Sequence, residues 1–130
     1  MNLFYSITQS DEPAIREWDE NPKNVCTGID FRCDNVYSYS SGVVLAVGRF
    51  NNYYCVTVQY DIFNLLRYDH LKSVDVGAGD VIQDGALIGQ ADHFLHFEYA
   101  TKEQDSSKWS VRVGSQTYWK KNPMELILDD

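Results

Sequence analysis

The chain has 130 residues and a mass of 15.0 kDa, with 44% apolar and 14% aromatic residues, enough for one domain with a real core and too apolar for a disordered polymer. Its formal net charge of −8 and pI near 4.7 exclude nucleic acid and anionic membranes as partners, since both are gripped by clustered Lys and Arg. No apolar stretch approaches the roughly 20 residues of a membrane-spanning helix, so membrane insertion is not expected.

The N-terminal text MNLFYSITQSDEP has neither a basic n-region nor a long apolar h-region and does not read as a secretory signal. Asn2–Gln9 alternates loosely between apolar and polar positions, which predicts a first strand. Ser10–Asn24 is acidic and polar and contains Pro13 and Pro22. Within it Pro13–Glu20 reads as a short helix, with Ile15 and Trp18 three apart, or else as a loop. Residues 1–24 are therefore taken as an N-terminal arm and residues 25–130 as a β domain. Trp18 is expected to pack on a neighbour, within this chain or in a partner.

Strand signals then dominate. Val25–Cys33, Val36–Ser40, Gly42–Phe50, Tyr53–Tyr60 and Phe63–His70 are rich in Val, Tyr, Phe and Ile. Ser41-Gly42 and Asn51-Asn52 punctuate them as tight turns, since Asn tolerates the left-handed conformations hairpins need. Two glycine turns, Gly77-Ala78-Gly79-Asp80 and Asp84-Gly85, lead into strands over Ala86–Ala91 and Phe94–Ala100. Thr101–Ser107 reads as an exposed loop, and Lys108–Gly114 with Gln116–Lys120 as a hairpin. Asn122-Pro123 opens a short helix to about Leu128. Many short strands with almost no helix predict an all-β sandwich or barrel. The three cysteines, Cys26, Cys33 and Cys55, are odd in number and form no CxxC pair, so they read as reduced thiols of a protein folded in a cytoplasm.

Several segments follow one another in a telling order. Cys26-Thr27-Gly28-Ile29-Asp30 is followed by Asn35-Val36-Tyr37-Ser38-Tyr39-Ser40-Ser41-Gly42-Val43-Val44. Then come Tyr68-Asp69-His70-Leu71, the run from Val76 to Gly89, and Phe94-Leu95-His96-Phe97-Glu98. This order resembles the lysostaphin-type zinc endopeptidases, which cut peptidoglycan cross-links, with their H-x-G-x-D, Y-x-H-L and H-L-H-F-E segments. The resemblance implies an all-β fold of the duplicated-hybrid-motif type, a β-sandwich with a short C-terminal helix.

It also implies a site. The metal ligands would be Cys26, Asp30 and His96, and the two histidines that stabilise the transition state would fall at His70 and Phe94. A hydrolytic zinc site needs three protein ligands and an open position for water. A thiolate can replace the imidazole at Cys26, but a phenyl ring at Phe94 cannot donate a hydrogen bond to an oxyanion. His93 stands beside Phe94, yet strand alternation puts it on the opposite face from Phe94, His96 and Glu98 unless a bulge intervenes. The family's longer segment before H-L-H is cut here to Gln90-Ala91-Asp92-His93, which predicts a tight hairpin and a missing groove wall.

Three functions compete. The favoured one is a silent module of this fold with no cofactor, in which His70 is a vestigial catalytic position. The second is an active endopeptidase with zinc on Cys26, Asp30 and His96. The third, suggested by another family of the same fold, the glucose-permease enzyme IIA domains, is phosphoryl transfer on two facing histidines, His70 and His96. A wall-directed fold without a signal needs a carrier. A phage virion made in the host cytoplasm, at its tail tip or baseplate, is therefore the expected home, with other virion proteins and peptidoglycan as partners. A bacterial cytoplasmic or divisome-linked regulator is the alternative.

Overall fold

The computed structural model describes residues 3–104 and 107–128. In chain order the elements are α1 (Leu3–Thr8), β1 (Ile29–Arg32), β2 (Asn35–Tyr37), β3 (Gly42–Phe50), β4 (Tyr53–Gln59) and β5 (Asn64–Val74). They are followed by β6 (Val81–Ile82), β7 (Leu87–Thr101), β8 (Ser110–Val113), β9 (Gln116–Lys121) and α2 (Glu125–Leu128). The all-β class with a short C-terminal helix, expected from the sequence, is the class observed.

The long strand β7 is the spine. One of its edges pairs with β5, and the other takes β2, β1 and β9 in succession. Beyond β5 lie β4, β3 and β6, and beyond β9 lies β8. Alternation along β7 sends Leu95 and Phe97 into the core, where Phe97 meets Tyr68 of β5 with ring centroids 5.2 Å apart. Leu66, Leu71, Ile88 and Leu95 are fully buried around this pair, each burial stabilising by ~1.5–3 kcal/mol. Asn51 adopts φ 56 in the β3–β4 turn, as a hairpin requires. At the C-terminal end the Met124 amide donates to Asn122 Oδ1 at 3.0 Å, so Asn122 caps α2, whose Leu126 joins the core. No helix among the described residues is long and apolar enough to cross a membrane.

Three local expectations are corrected. The predicted strand Asn2–Gln9 is instead helix α1 where it is described (Asn2 lies outside the described residues). Tyr5 is exposed and Ile7 is fully buried, so the segment offers the core an anchor and not an alternating face. Of the two readings of Pro13–Glu20 the loop holds and the helix does not, because its backbone finds partners across the chain. Ile15 donates to the Asp30 carbonyl at 2.7 Å, and Asp19 and Cys26 exchange bonds of 3.0 and 2.9 Å. Arg16 then donates to the carbonyls of Asn24 and Val25. Trp18 packs within the chain, edge-on to Trp109 at 5.7 Å.

The third correction concerns the short bridge Gln90–His93. No hairpin forms there, because β5 runs on past His70 to Val74 and pairs with β7 throughout. The register passes from Asp69↔His96 to Leu71↔Ala91, so residues 92–95 stand opposite His70 alone. This bulge places His70 and His93 at φ 70 and 72, a left-handed conformation unusual outside glycine. The Thr101–Ser107 loop lies partly outside the described residues.

Candidate functional site

The site is built on the cross-strand neighbours of β7. Asp30 on β1 is paired with His96, Asp69 on β5 is also paired with His96, and Arg67 on β5 is paired with Glu98. Side chains of directly opposed residues share a face, so this register gathers Asp30, Arg67, Asp69, His96 and Glu98. The Cys26–Gly28 segment reaches the same place by a close approach. A Cβ on Gly28 would stand 2.3 Å from the Phe97 carbonyl and 2.9 Å from the His96 ring, so the backbone can lie there only because Gly28 has none.

Cys26, Asp30 and His96 are brought together, with one ligand atom from each within 4.8 Å of the others. His96 Nδ1 lies 2.6 Å from Asp30 Oδ1, and its Nε2 lies 3.0 Å from Glu98 Oε2. The buried Cys26 thiol donates to the Gly28 carbonyl at 3.4 Å. Burial raises its pKa, only partly offset by that bond, and the carboxylates of Asp30 and Glu98 raise it further. Burial also works against a charge on His96, but the bonds to Asp30 and Glu98 outweigh it and push the ring up to about 9. Glu98 is buried, yet His96, Lys120 and Arg67 hold its carboxyl well below the usual range.

His70 stands across a cavity of about 400 Å³ that Asp30, His96 and Phe94 also line. Its ring is sandwiched between Tyr53 and Phe94, at centroid distances of 4.1 and 3.9 Å. His70 Nδ1 donates to the Phe94 carbonyl at 2.9 Å, which leaves Nε2 as the nitrogen free to accept. Phe94 thus presents to His70 a phenyl ring that only stacks. His93 does not take its place. Despite the bulge its side chain is 93% exposed, beside Asp92 at 3.6 Å.

Sequence reasoning missed the cations. Arg67 and Lys120 both reach the Glu98 carboxylate, Lys120 at 2.8 Å, and Thr27 donates to it at 3.0 Å. Arg67 had a legible signal, a guanidinium flanked by the apolar Leu65-Leu66 and Tyr68 of a strand. Lys120 had none, since only the β7–β9 pairing carries it there.

The donor set suits zinc. Thiolate, carboxylate and imidazole are all zinc ligands, three of them leave a position open for water, and the second nitrogen of the imidazole rests on a carboxylate.

The model of Peptidase family M23 matches residues 24–108. The chain belongs to this family, and its domain is of the peptidoglycan-hydrolase type. No individually curated protein matches it. Among solved structures, the antimicrobial peptidase lysostaphin from Staphylococcus simulans is similar at 16% identity and a TM-score of 0.71, covering 96% of this chain and 55% of that one. A chain of the SpoIIIAH–SpoIIQ complex is similar at 17% identity and TM-score 0.69, covering 93% of this chain and 96% of that one. The catalytic domain of the prophage-encoded M23 protein EnpA from Enterococcus faecalis is similar at 15% identity and TM-score 0.68, covering 92% and 95%. At these identities the likeness is one of fold. This chain spans about half the length of lysostaphin and nearly all of the other two.

Proposed function

We propose that this M23 domain is silent as a hydrolase and serves as a structural component of a phage virion, at the tail tip or baseplate. The observation that carries the silence is the Phe94 ring stacked on His70 where a second imidazole would stand. An oxyanion-type helper contributes ~10²–10³ in rate, and phenyl offers no donor in its place. The virion setting draws support from the prophage-encoded relative in fold. It also draws support from the exposed apolar side chains Phe50, Ile62, Phe63 and Val81, of a kind suited to contact with other virion proteins. Peptidoglycan is the surface such a particle meets.

Two experiments test this. Purified chain supplied with zinc should release no fragments from cell walls, and turnover abolished by chelator and by Asp30→Ala would overturn the silence. Mass spectrometry of purified virions should find the chain, whereas its occurrence only as a lone cytoplasmic monomer would remove the assembly role.

A second reading, an active zinc-dependent endopeptidase, is favoured by the convergence of Cys26, Asp30 and His96. In that reading these three hold zinc, which when bound lowers the pKa of water and polarises a carbonyl. His70 is then held by Tyr53, Phe94 and the Phe94 carbonyl with Nε2 free to accept a proton. Metal content of the purified protein, with and without Cys26→Ser, decides whether the centre is retained.

A further inference from the structure

Four side chains converge on the Glu98 carboxylate, and neither reading above gives it a task. Its Oε2 accepts from His96 Nε2 at 3.0 Å, Thr27 Oγ1 at 3.0 Å and Lys120 Nζ at 2.8 Å, while Oε1 takes the Arg67 guanidinium. Lys120 also reaches Thr27 Oγ1, at 3.4 Å. The side chain of Glu98 is only 3% exposed, against 17% and 19% for Lys120 and Arg67. Partners on four elements or segments (β5, β7, β9 and the loop before β1) thus fix both carboxylate oxygens in place.

We propose that Glu98 is a positioning residue for the metal centre: it anchors His96 Nε2 so that Nδ1 is the nitrogen turned toward Asp30 and Cys26. This rests on the reading in which Cys26, Asp30 and His96 hold zinc. Geometry carries it in two ways. An imidazole whose Nε2 donates to a fixed carboxylate can offer only Nδ1 to a metal, and Nδ1 is the nitrogen beside Asp30 Oδ1 at 2.6 Å. The same carboxylate also holds Thr27, the residue between Cys26 and Gly28, so one group registers two of the three ligands against each other. Arg67 and Lys120 make a buried carboxylate tenable there, because an unpaired one would be strongly unfavourable.

Zinc affinity of the full chain, measured by competition with a chromophoric chelator, tests the proposal against two variants. Glu98→Gln should bind zinc ~10–100-fold more weakly, the usual effect of losing such a partner. Glu103→Gln removes an equal charge from an exposed position, 69% exposed and bonded to Lys121, and should change affinity by less than about twofold. A folded Glu98→Gln with undiminished affinity, or an equal loss in Glu103→Gln, overturns the proposal. Should Glu98→Gln fail to fold, the ring nitrogens of His96 in zinc-loaded wild type still decide it by ¹⁵N NMR. Nε2 should carry the proton and Nδ1 the metal, and the reverse assignment overturns the proposal. Wild type that binds zinc no better than Asp30→Ala removes the metal centre itself, and this proposal falls with it.

Discussion

Phe94 covers one face of the His70 ring, with centroids 3.9 Å apart and 18° between their planes, and its own carbonyl accepts the His70 Nδ1 proton. One residue therefore fixes both the orientation and the tautomer of His70 while contributing no imidazole of its own. Phe94→Ala should loosen His70 and destabilise the fold by ~1–2 kcal/mol, from the lost stack and part of the ring's burial. A shift in the denaturant midpoint measures this, and an unchanged midpoint would show the stack to be energetically idle.

Phe94→His tests the silence directly. The backbone carbonyl that holds His70 is kept, and a second ring with donors is placed at the cavity. In the presence of zinc the variant should release cell-wall fragments above the wild-type background, recovering up to ~10²-fold. A variant as inert as wild type would shift the cause of silence to the shortened segment before Phe94.

Glu98→Ala should be among the most damaging single changes. It strands Arg67, Lys120 and His96 without their shared carboxylate, and breaking a buried charge cluster in this way costs ~3–5 kcal/mol. A thermal melt reads the effect, and a loss below about 1 kcal/mol would mean that water replaces the carboxylate freely.

Gly28→Ala should act on both fold and centre. Its methyl would meet the Phe97 carbonyl and the His96 ring, so the loop before β1 must retreat, costing ~1–3 kcal/mol and drawing Cys26 away from Asp30 and His96. Melting temperature and zinc affinity should fall together. Retention of both would show that the loop can retreat without cost.

Alkaline pH should weaken the fold through two shielded thiols and a buried phenol. Burial lifts the thiols of Cys33 and Cys55 to about 11 and the Tyr68 phenol to about 12. The unfolded chain loses these protons first, thiols near 9 and phenol near 10. It therefore binds fewer protons than the native state, and stability declines as pH rises through that interval. Denaturant titrations from pH 8 to 11 should show the decline. At pH 8, iodoacetamide should modify Cys33 and Cys55 far more slowly in the native protein than in urea.

The scaffold was largely legible. The β3–β4 hairpin falls where Asn51-Asn52 and the flanking Val and Tyr runs put it, and Asn122 caps α2 as its spacing suggests. Asp30, His70 and His96 were readable from segment order, and all three line one cavity. What was not legible depended on partners distant in the chain. Pro13–Glu20 reads as a short helix or a loop by local pattern and takes its conformation from bonds to Cys26 and Asp30. The bulge opposite His70 arises from two strands of unequal length that must both continue, which neither strand announces alone. Lys120 belongs to the centre only because β9 docks beside β7.

The arm's bonds have a mechanical consequence. Residues 15–19 run antiparallel to residues 26–30, and their backbone bonds end on Cys26 and Asp30 themselves. A pull applied at α1 would first load the packing of its fully buried Ile7 in the core and only then pass along the arm to those bonds. Cys26 and Asp30 thus feel a pull from the N-terminal side only once Ile7 has left the core, which shields their geometry.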